Sequence, residues 1–271
     1  MRKISQSLIL AGITTFSLFS MTGNASAAEA TPAPSYTVTG NMAFTSNYVF
    51  RGLTQSWNRP VVQAGLDYAH ASGFYLGTWG SGVSDKEYNN ASMEWDFYAG
   101  YNGKINDDWS WGVGAIEVYY PGGAANNAVK TKYNTTELNA QINYKFLNVK
   151  YSHALTSLFG LDSDNPFTQP VTGDTKGSGY FEANVNYEVM DKLTLGAHVG
   201  HQKVAKNSIY SYTDYKVSIN KELPKEFFGL NLGLAYTTTN ANKDAWVGVA
   251  PNGQTKFLGD KAVVLSVAKT F

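Results

Sequence analysis

The stretch TELNAQINY, residues 136–144, alternates between apolar and polar side chains without a break. Its apolar face consists of Leu138, Ala140, Ile142 and Tyr144. Its polar face consists of Glu137, Asn139, Gln141 and Asn143. A period of two predicts a β-strand that separates an apolar from a polar environment, and helical spacing does not fit this window.

The same alternation recurs along the chain and predicts about twelve strands. They lie near residues 36–47, 61–70, 73–81, 92–102, 108–120, 133–144, 147–154, 179–189, 193–203, 211–221, 229–238 and 262–271. Short connections alternate with mostly longer ones, among them residues 48–60, 82–91, 121–132, 155–178 and 239–261. This order predicts an all-β, up-and-down antiparallel barrel with both chain ends on the short-turn side.

Composition and strand length indicate where the apolar face points. Charged residues make up 15% of the chain, well below the roughly 25% of soluble domains. A strand of about ten residues rises ~33 Å, or ~23 Å at a tilt of about 45°, which matches the ~25 Å apolar band of outer-membrane barrels. We therefore predict a single transmembrane barrel whose apolar face contacts lipid.

Aromatic residues also gather near the two ends of the predicted strands, as the interfacial girdles of membrane barrels do. The short-turn group is Tyr36, Tyr101, Trp109, Tyr144, Phe146 and Phe228. The long-loop group is Tyr48, Phe50, Trp57, Trp79, Tyr119, Tyr120 and Tyr212.

The N-terminal segment has the three parts of a secretory signal peptide. Arg2 and Lys3 form a basic start, residues 8–19 are an apolar run, and residues 25–27 read Ala-Ser-Ala. The apolar run is too short to span a membrane as a helix. We expect residues 1–27 to be the signal peptide and residues 28–271 to form the barrel in the outer membrane of a Gram-negative bacterium.

The chain stops at Phe271, which ends an alternating strand with Val263, Leu265 and Val267 on the same face. A terminal aromatic strand of this kind is typical of the element that the barrel assembly machinery recognises. The expected partners are this machinery, outer-membrane lipids and small polar solutes.

Charged residues on the polar faces are candidates for the lumen wall, where opposed charges tune ion selectivity. They are Asp67, Glu94, Asp96, Glu117, Glu137, Lys150, Glu182, Asp214 and Lys216. In the strand near residues 108–120 the apolar phase shifts from Trp109, Trp111 and Val113 to Ile116 and Val118, which a one-residue bulge near Ala115 would explain. Arg51 either folds into the lumen to pair with a carboxylate or ends the first strand in solvent, and Gly52 beside it relieves a backbone bend.

Several classes of function find no support. Basic and acidic side chains both number 21, and no basic tract suggests nucleic acid. No cysteine is present, so disulfides and thiolate metal sites are excluded. His198 and His201 lie three apart in a strand and face opposite sides, and the G-x-S-x-G elbow is absent. We expect no enzyme activity, no cofactor and no metal.

Six segments resemble the TorF family, a proteobacterial group of predicted outer-membrane proteins that are named as porins. They are NMAFTSNYVFRGLTQS (41–56), PVVQAGLDY (60–68), GFYLGTWGS (73–81), MEWDFYAGY (93–101), VYYPG (118–122) and the closing SVAKTF (266–271). The resemblance implies a barrel and a pore, and it brings no solute and no functional residues.

These observations predict a porin-like channel for the passive passage of small polar solutes or ions, with the loop at residues 155–178 as its constriction. The alternative is a closed barrel with a ligand-binding or structural role, its lumen packed shut by Tyr75, Trp79 and Tyr98.

Overall fold

The structure is a computed structural model that describes residues 35–124, 131–164, 171–250 and 252–271. The predicted signal peptide, residues 1–27, lies outside the described residues and stays a prediction. No helix of the described part is long and apolar enough to cross a membrane.

Twelve strands close into one antiparallel barrel, as the alternation predicts, and two short hairpins lie outside the ladder. In chain order the strands are β1 (Tyr36–Thr45), β2 (Val49–Phe50), β3 (Leu53–Thr54), β4 (Val61–His70), β5 (Phe74–Gly82), β6 (Met93–Lys104), β7 (Trp109–Tyr119), β8 (Thr135–Tyr144), β9 (Leu147–Ala154), β10 (Gly179–Met190), β11 (Leu193–Lys203), β12 (Tyr212–Glu222), β13 (Asn231–Thr239), β14 (Val247–Val249), β15 (Thr255–Phe257) and β16 (Ala262–Thr270). The hairpins are β2–β3 in the first long loop and β14–β15 in the last.

The barrel order is β1–β16–β13–β12–β11–β10–β9–β8–β7–β6–β5–β4, and β4 returns to β1. The predicted fold class is confirmed. Closure leaves no strand edge unpaired, which a barrel in hydrocarbon requires because water is absent there.

The outward face of the ladder is predominantly apolar. Leu66 is 53% exposed, Val217 57% and Val263 63%, while the inward residues Gln63 and Asp67 on β4 are buried. A continuous apolar exterior of this kind on a closed barrel is built to contact acyl chains.

The predicted bulge near Ala115 is wrong. The register between β6 and β7 runs evenly from Lys104 opposite Ser110 to Trp95 opposite Tyr119. Ile116 and Val118 therefore face inward and are buried at 4% and 3% exposure, where they pack in an apolar cluster with loop tyrosines. The end of β7 therefore places apolar side chains on the inward face because they join an apolar cluster inside the barrel. The change in the alternation does not require a bulge.

Glu117 consequently lies on the outer face, opposite Phe97 on β6 and Thr136 on β8, and it accepts a hydrogen bond from the Thr136 hydroxyl. The prediction that it lines the lumen is wrong, because a strand without a bulge keeps it in phase with outward Trp111 and Val113.

The aromatic girdle agrees with the prediction at one end only. Tyr36, Tyr101, Trp109, Phe146 and Phe228 are exposed at the short-turn end. At the long-loop end, only Tyr119 of the predicted group is exposed, and five members are buried: Tyr48, Trp57, Trp79, Tyr120 and Tyr212. The exposed aromatics there are Phe44, Trp95, Phe97, Tyr119, Tyr151, Phe181 and Tyr215.

The buried aromatics instead hold the long loops together in a cap over one end of the barrel. Leu53 and Trp57 of the first loop pack with Leu258 of the last loop. Tyr88 stacks on Tyr120 with ring centroids 4.1 Å apart. Other loops meet in a third cluster that contains Leu158, Val171, Val204, Tyr210 and Ala245. Apolar burial between loops therefore makes this end of the barrel a packed layer.

Glu87 is half-buried in this cap, in the loop after β5, with its Oε2 atom out of contact with solvent. Its Oε2 has no hydrogen-bond partner among the described residues, and a Cβ added at Gly248 would lie 2.8 Å from that oxygen. Burial raises the pKa of the Glu87 carboxyl to about 8.

This burial makes the stability of the cap depend on pH. The folded protein holds the Glu87 proton up to about pH 8, whereas the unfolded chain releases it near the ordinary pKa of 4.5. Stability therefore falls as pH rises through this window, by about 1.4 kcal/mol for each unit of pKa difference. We expect Glu87→Gln to flatten the loss of thermal stability between about pH 5 and about pH 9. Circular dichroism melts of detergent-folded protein measure this, and an equally steep loss in Glu87→Gln would contradict it.

The control for this experiment is Asp85→Asn, which removes an exposed acidic side chain from the same loop. We expect it to keep the pH dependence of the unsubstituted protein.

The two faces of β13 allow a direct test of which side contacts lipid. Leu234 is 45% exposed on the outer face, and Ala235 next to it faces inward. We expect Leu234→Arg to lower the free energy of unfolding in bilayers by about 2–4 kcal/mol, because it places a charge in lipid. Ala235→Arg, whose charge enters a polar interior, should lower it much less. Equilibrium unfolding of both variants in lipid vesicles measures these changes. An equal loss of unfolding free energy in the two variants would refute the assignment of the faces.

Candidate functional site

The first long loop folds into the barrel instead of standing above it. Strands β2 and β3 form a hairpin in which Phe50 pairs with Leu53, so Arg51 and Gly52 are the two turn residues. Both have positive φ, 45° and 76°, as a tight hairpin turn of type I′ requires. We call residues 46–60 the inner loop. Of the two alternatives for Arg51, the structure shows the one in which it enters the lumen.

Arg51 attaches the tip of the inner loop to the far wall of the barrel. Its Nη1 and Nη2 donate to the two carboxylate oxygens of Glu137 on β8, at 2.9 and 2.7 Å. Nη1 also donates to Gln202 Oε1 on β11 at 3.0 Å, and the guanidinium lies 4.3 Å from the ring centroid of Tyr180 on β10. The side chains of Arg51 and Glu137 are only 8% and 6% exposed. A bidentate and buried pair of this kind fixes geometry strongly.

Gly52 allows the close approach of the tip to β12 and β13. A Cβ at this position would lie 2.6 Å from Asp214 Cβ and 2.8 Å from Thr239 Cγ2. The tip of the inner loop is therefore seated against β12 and β13, and the Arg51 side chain reaches from it to β8 on the opposite wall.

The base of the inner loop covers two acidic residues of β6. Tyr48 donates its hydroxyl to Glu94 Oε1 at 2.6 Å, and Tyr120 donates to Glu94 Oε2 at 2.6 Å. Asp96 is fully buried, and neither of its carboxylate oxygens has a partner among the described residues. Tyr48 also packs edge-on against Trp79 with ring centroids 5.5 Å apart.

Two further tyrosines lie flat on the wall of β4–β7, because glycines face them. A Cβ at Gly77 would lie 2.5 Å from the Tyr98 ring, and a Cβ at Gly100 would lie 2.5 Å from the Tyr75 hydroxyl. The Tyr98 hydroxyl donates to Asp67 Oδ1 at 2.6 Å. Tyr75, Trp79 and Tyr98 thus cover this side of the interior without closing the other side.

The other side, along β8–β13 and β16, borders a cavity of about 220 Å³ next to the inner loop. Lys150 Nζ on β9 lies 3.5 Å from Glu182 Oε1 on β10. Asp214 on β12 accepts the Tyr180 hydroxyl at 2.8 Å and lies 2.9 Å from His198 Nε2. The uncharged polar part of the wall includes Asn148, Asn184, Asn186, Ser218, Asn220 and Ser266.

The nine predicted lumen residues fall into three places. Glu137, Lys150, Glu182, Asp214 and Lys216 line the cavity. Asp67, Glu94 and Asp96 are inside the barrel, but they are buried behind tyrosines and do not line the cavity. Glu117 is on the outer face, as described above.

Sequence reasoning missed the role of Gln202, Tyr180 and His198 in this site. The alternation of β11 places His198 and Gln202 on the inward face, so their direction is readable from the sequence. Their partners are not readable, because Arg51 lies 151 residues from Gln202 along the chain.

The loop at residues 155–178 lies in the cap where it is described, and residues 165–170 are outside the described residues. Leu158 is buried there, and Phe159 packs edge-on against Phe50 of the inner loop at 5.7 Å between centroids. The described part of this loop therefore supports the inner loop, and the inner loop occupies the place predicted for the constriction.

The site is rich in hydrogen-bonding side chains. Among the described residues, no group of three or more histidine, aspartate or glutamate side chains is arranged to hold a metal ion. The two ring nitrogens of His198 face Asn184 Oδ1 at 2.6 Å and Asp214 Oδ2 at 2.9 Å. The arrangement is suited to holding or passing a polar molecule.

Comparison with known proteins identifies a family and a fold. A family model described as "Bacterial protein of unknown function (Gcw_chp)" matches residues 29–271. No curated protein sequence matches the chain. This family description names no pore, so the resemblance to the TorF family stays a prediction.

Two solved structures share the barrel fold. A structure of the KdgM porin is 12% identical, covers 86% of this chain and 99% of its own, and has a TM-score of 0.50. A structure of the NanC porin is 9% identical, covers 86% and 98%, and has a TM-score of 0.53. At these identities the likeness shows the fold alone.

The close contact at Gly52 gives a test of the inner loop. Gly52→Ala adds the cost of a positive φ, about 1 kcal/mol or more, and also forces Asp214 and Thr239 to move. Gly253→Ala is the matched control, since Gly253 has a φ of 80° and nothing within 4 Å of an added Cβ. We expect Gly52→Ala to lower the melting temperature in detergent clearly more than Gly253→Ala. Equal losses would mean that the tip of the inner loop is not seated against β12.

Proposed function

Since the chain belongs to the Gcw_chp family of bacterial proteins of unknown function, we propose from its structure a passive outer-membrane channel for small polar solutes. The observation that carries this proposal is a polar cavity inside a barrel whose exterior is apolar. A barrel that served only as a wall would gain stability by filling this space with side chains.

The width of the barrel fits a narrow channel. Barrels of about eight strands are filled by side chains, and barrels of 16–18 strands leave an open aqueous channel. Twelve strands fall between these cases. The inner loop narrows the interior further, so the route for a solute runs between this loop and the wall of β8–β13 and β16.

The structural neighbours support the same function. Both the KdgM and the NanC structures are named as porins, and each is covered almost completely by this chain. Their names say nothing of the solute that this chain would pass.

The proposed location follows from export and assembly. Residues 1–27 would direct the chain out of the cytoplasm, and residues 28–271 would insert as the barrel, with the cap facing the cell exterior. Phe271 closes the seam of the barrel, because its N–H donates to Gly40 O at 2.9 Å and its carbonyl accepts from Gly40 N at 2.8 Å. The assembly machinery and outer-membrane lipids are the proposed partners.

The packed cap favours a second candidate, a closed barrel that binds a ligand or supports the envelope. Apolar clusters join the long loops over one end of the cavity. A cap that never opened would leave the cavity as a binding site without a through-route.

Conductance in planar bilayers separates the two candidates. We expect the unsubstituted protein to show small single-channel conductance steps. The Arg51→Ala variant should show larger conductance steps. Removal of Arg51 leaves Glu137 buried without its partner, which costs about 3–5 kcal/mol and releases the inner loop from the far wall. Arg59→Ala is the control, because Arg59 is exposed in the same loop and its side chain makes no ion pair among those found in the described residues.

The channel proposal fails if neither the unsubstituted protein nor Arg51→Ala conducts and liposomes that contain them do not swell in any small solute. That result would favour the closed barrel.

A further inference from the structure

A count of all charges inside the barrel suggests a channel for cations. Apart from the charged residues at the short-turn rim, such as the paired Lys192 and Glu222, the described inward acids are Asp67, Glu94, Asp96, Glu137, Glu182 and Asp214, and the inward bases are Arg51, Lys150 and Lys216. Six acids against three bases would attract cations and repel anions along a narrow pore.

The cavity wall has a different balance, because half of these acids do not reach it. It contains Glu137, Glu182 and Asp214 against Arg51, Lys150 and Lys216. With histidine neutral, the wall therefore has no net charge. From this balance, and on the basis of the proposed channel, we infer that the route selects uncharged, hydroxyl-rich solutes such as sugars and polyols over ions of either sign.

All three carboxylates of the wall also have partners inside the barrel. Glu137 is held by Arg51 at 2.7 Å and Glu182 lies 3.5 Å from Lys150. Asp214 accepts the Tyr180 hydroxyl and contacts His198, and Lys216 shares its strand face two residues away. A passing cation would have to compete with these partners at each of the three carboxylates, and a passing anion would have to compete with Glu137 and Glu182 at Arg51 and Lys150, so either ion gains little attraction.

The remaining three acids are held away from the route by hydroxyl donors or by burial. Glu94 accepts from Tyr48 and Tyr120, and Asp67 accepts from Tyr98. Asp96 is fully buried on the same strand as Glu94. The inner loop and the wall tyrosines thus separate these acids from the cavity.

Between the charges the wall is a surface of amides and hydroxyls. Strand pairing across β10, β11 and β12 places Asn186, Gly196 and Ser218 side by side. Pairing across β12, β13 and β16 places Asn220, Gly233 and Ser266 side by side in the same way. The two glycines leave room for the Ser218 and Ser266 hydroxyls to lie across them. Amide and hydroxyl groups both donate and accept hydrogen bonds, as sugar hydroxyls do, so they can replace the water of such a solute in passing.

Reversal potentials in a potassium chloride gradient at about pH 7 test the charge balance. We expect a potential near zero for the unsubstituted protein. Glu182→Gln should shift it toward anion selectivity, and Lys216→Met should shift it toward cation selectivity. Asp67→Asn is the matched control: it removes an acid that lies inside the barrel but off the cavity, and it should leave the potential unchanged.

Liposome swelling tests the solute class without any substitution. The probes are glucose, glucosamine hydrochloride and sodium gluconate, which are similar in size and differ in charge. We expect swelling in glucose to be several-fold faster than in either charged probe.

The outcomes separate this inference from the channel itself. Absence of conductance and of swelling in every probe refutes the channel. Conductance with a strong preference for one sign of ion, faster swelling in a charged probe, or a shift in Asp67→Asn as large as that in Glu182→Gln overturns the inference and leaves the channel standing.

Discussion

The structure depends on the requirement that every backbone N–H and C=O group in hydrocarbon finds a partner within the protein. The barrel meets it by pairing β1 with β16 and with β4, so that the first strand closes the ladder. Closure forces every strand to present alternate side chains to lipid and to the interior. The apolar exterior and the polar interior are therefore two consequences of one hydrogen-bond constraint.

A closed ladder leaves the filling of the interior open, and this chain fills it unevenly. On β5 and β6, glycines opposite Tyr75 and Tyr98 let the aromatic rings lie against the wall. On the other side, asparagine and serine side chains leave a cavity of about 220 Å³. The inner loop divides the two sides, and it is held by the Arg51–Glu137 pair at its tip and by Tyr48 at its base. The off-centre route follows from this division.

Alternation predicted the strands well because a residue in a membrane strand meets lipid or water, and each demands a different side chain. It failed where a third environment exists. Ile116 and Val118 face inward yet are apolar, because they contact the tyrosines of the cap. The same cap buries Trp57 and Tyr212, which the pattern assigned to a lipid girdle. The alternation of residues shows which side chains are apolar. It does not show whether an apolar side chain contacts lipid or an apolar cluster inside the barrel.

The sequence by itself determined the strand number, the up-and-down order, the side of most strands that meets lipid and most of the polar interior, since all of these follow from local periodicity and connection length. Only the tertiary structure decided that Arg51 meets Glu137, 86 residues away, that the inner loop folds into the lumen, and which carboxylates reach the cavity. These depend on the closure of the barrel, which brings strands from distant parts of the chain to face one another across a narrow interior.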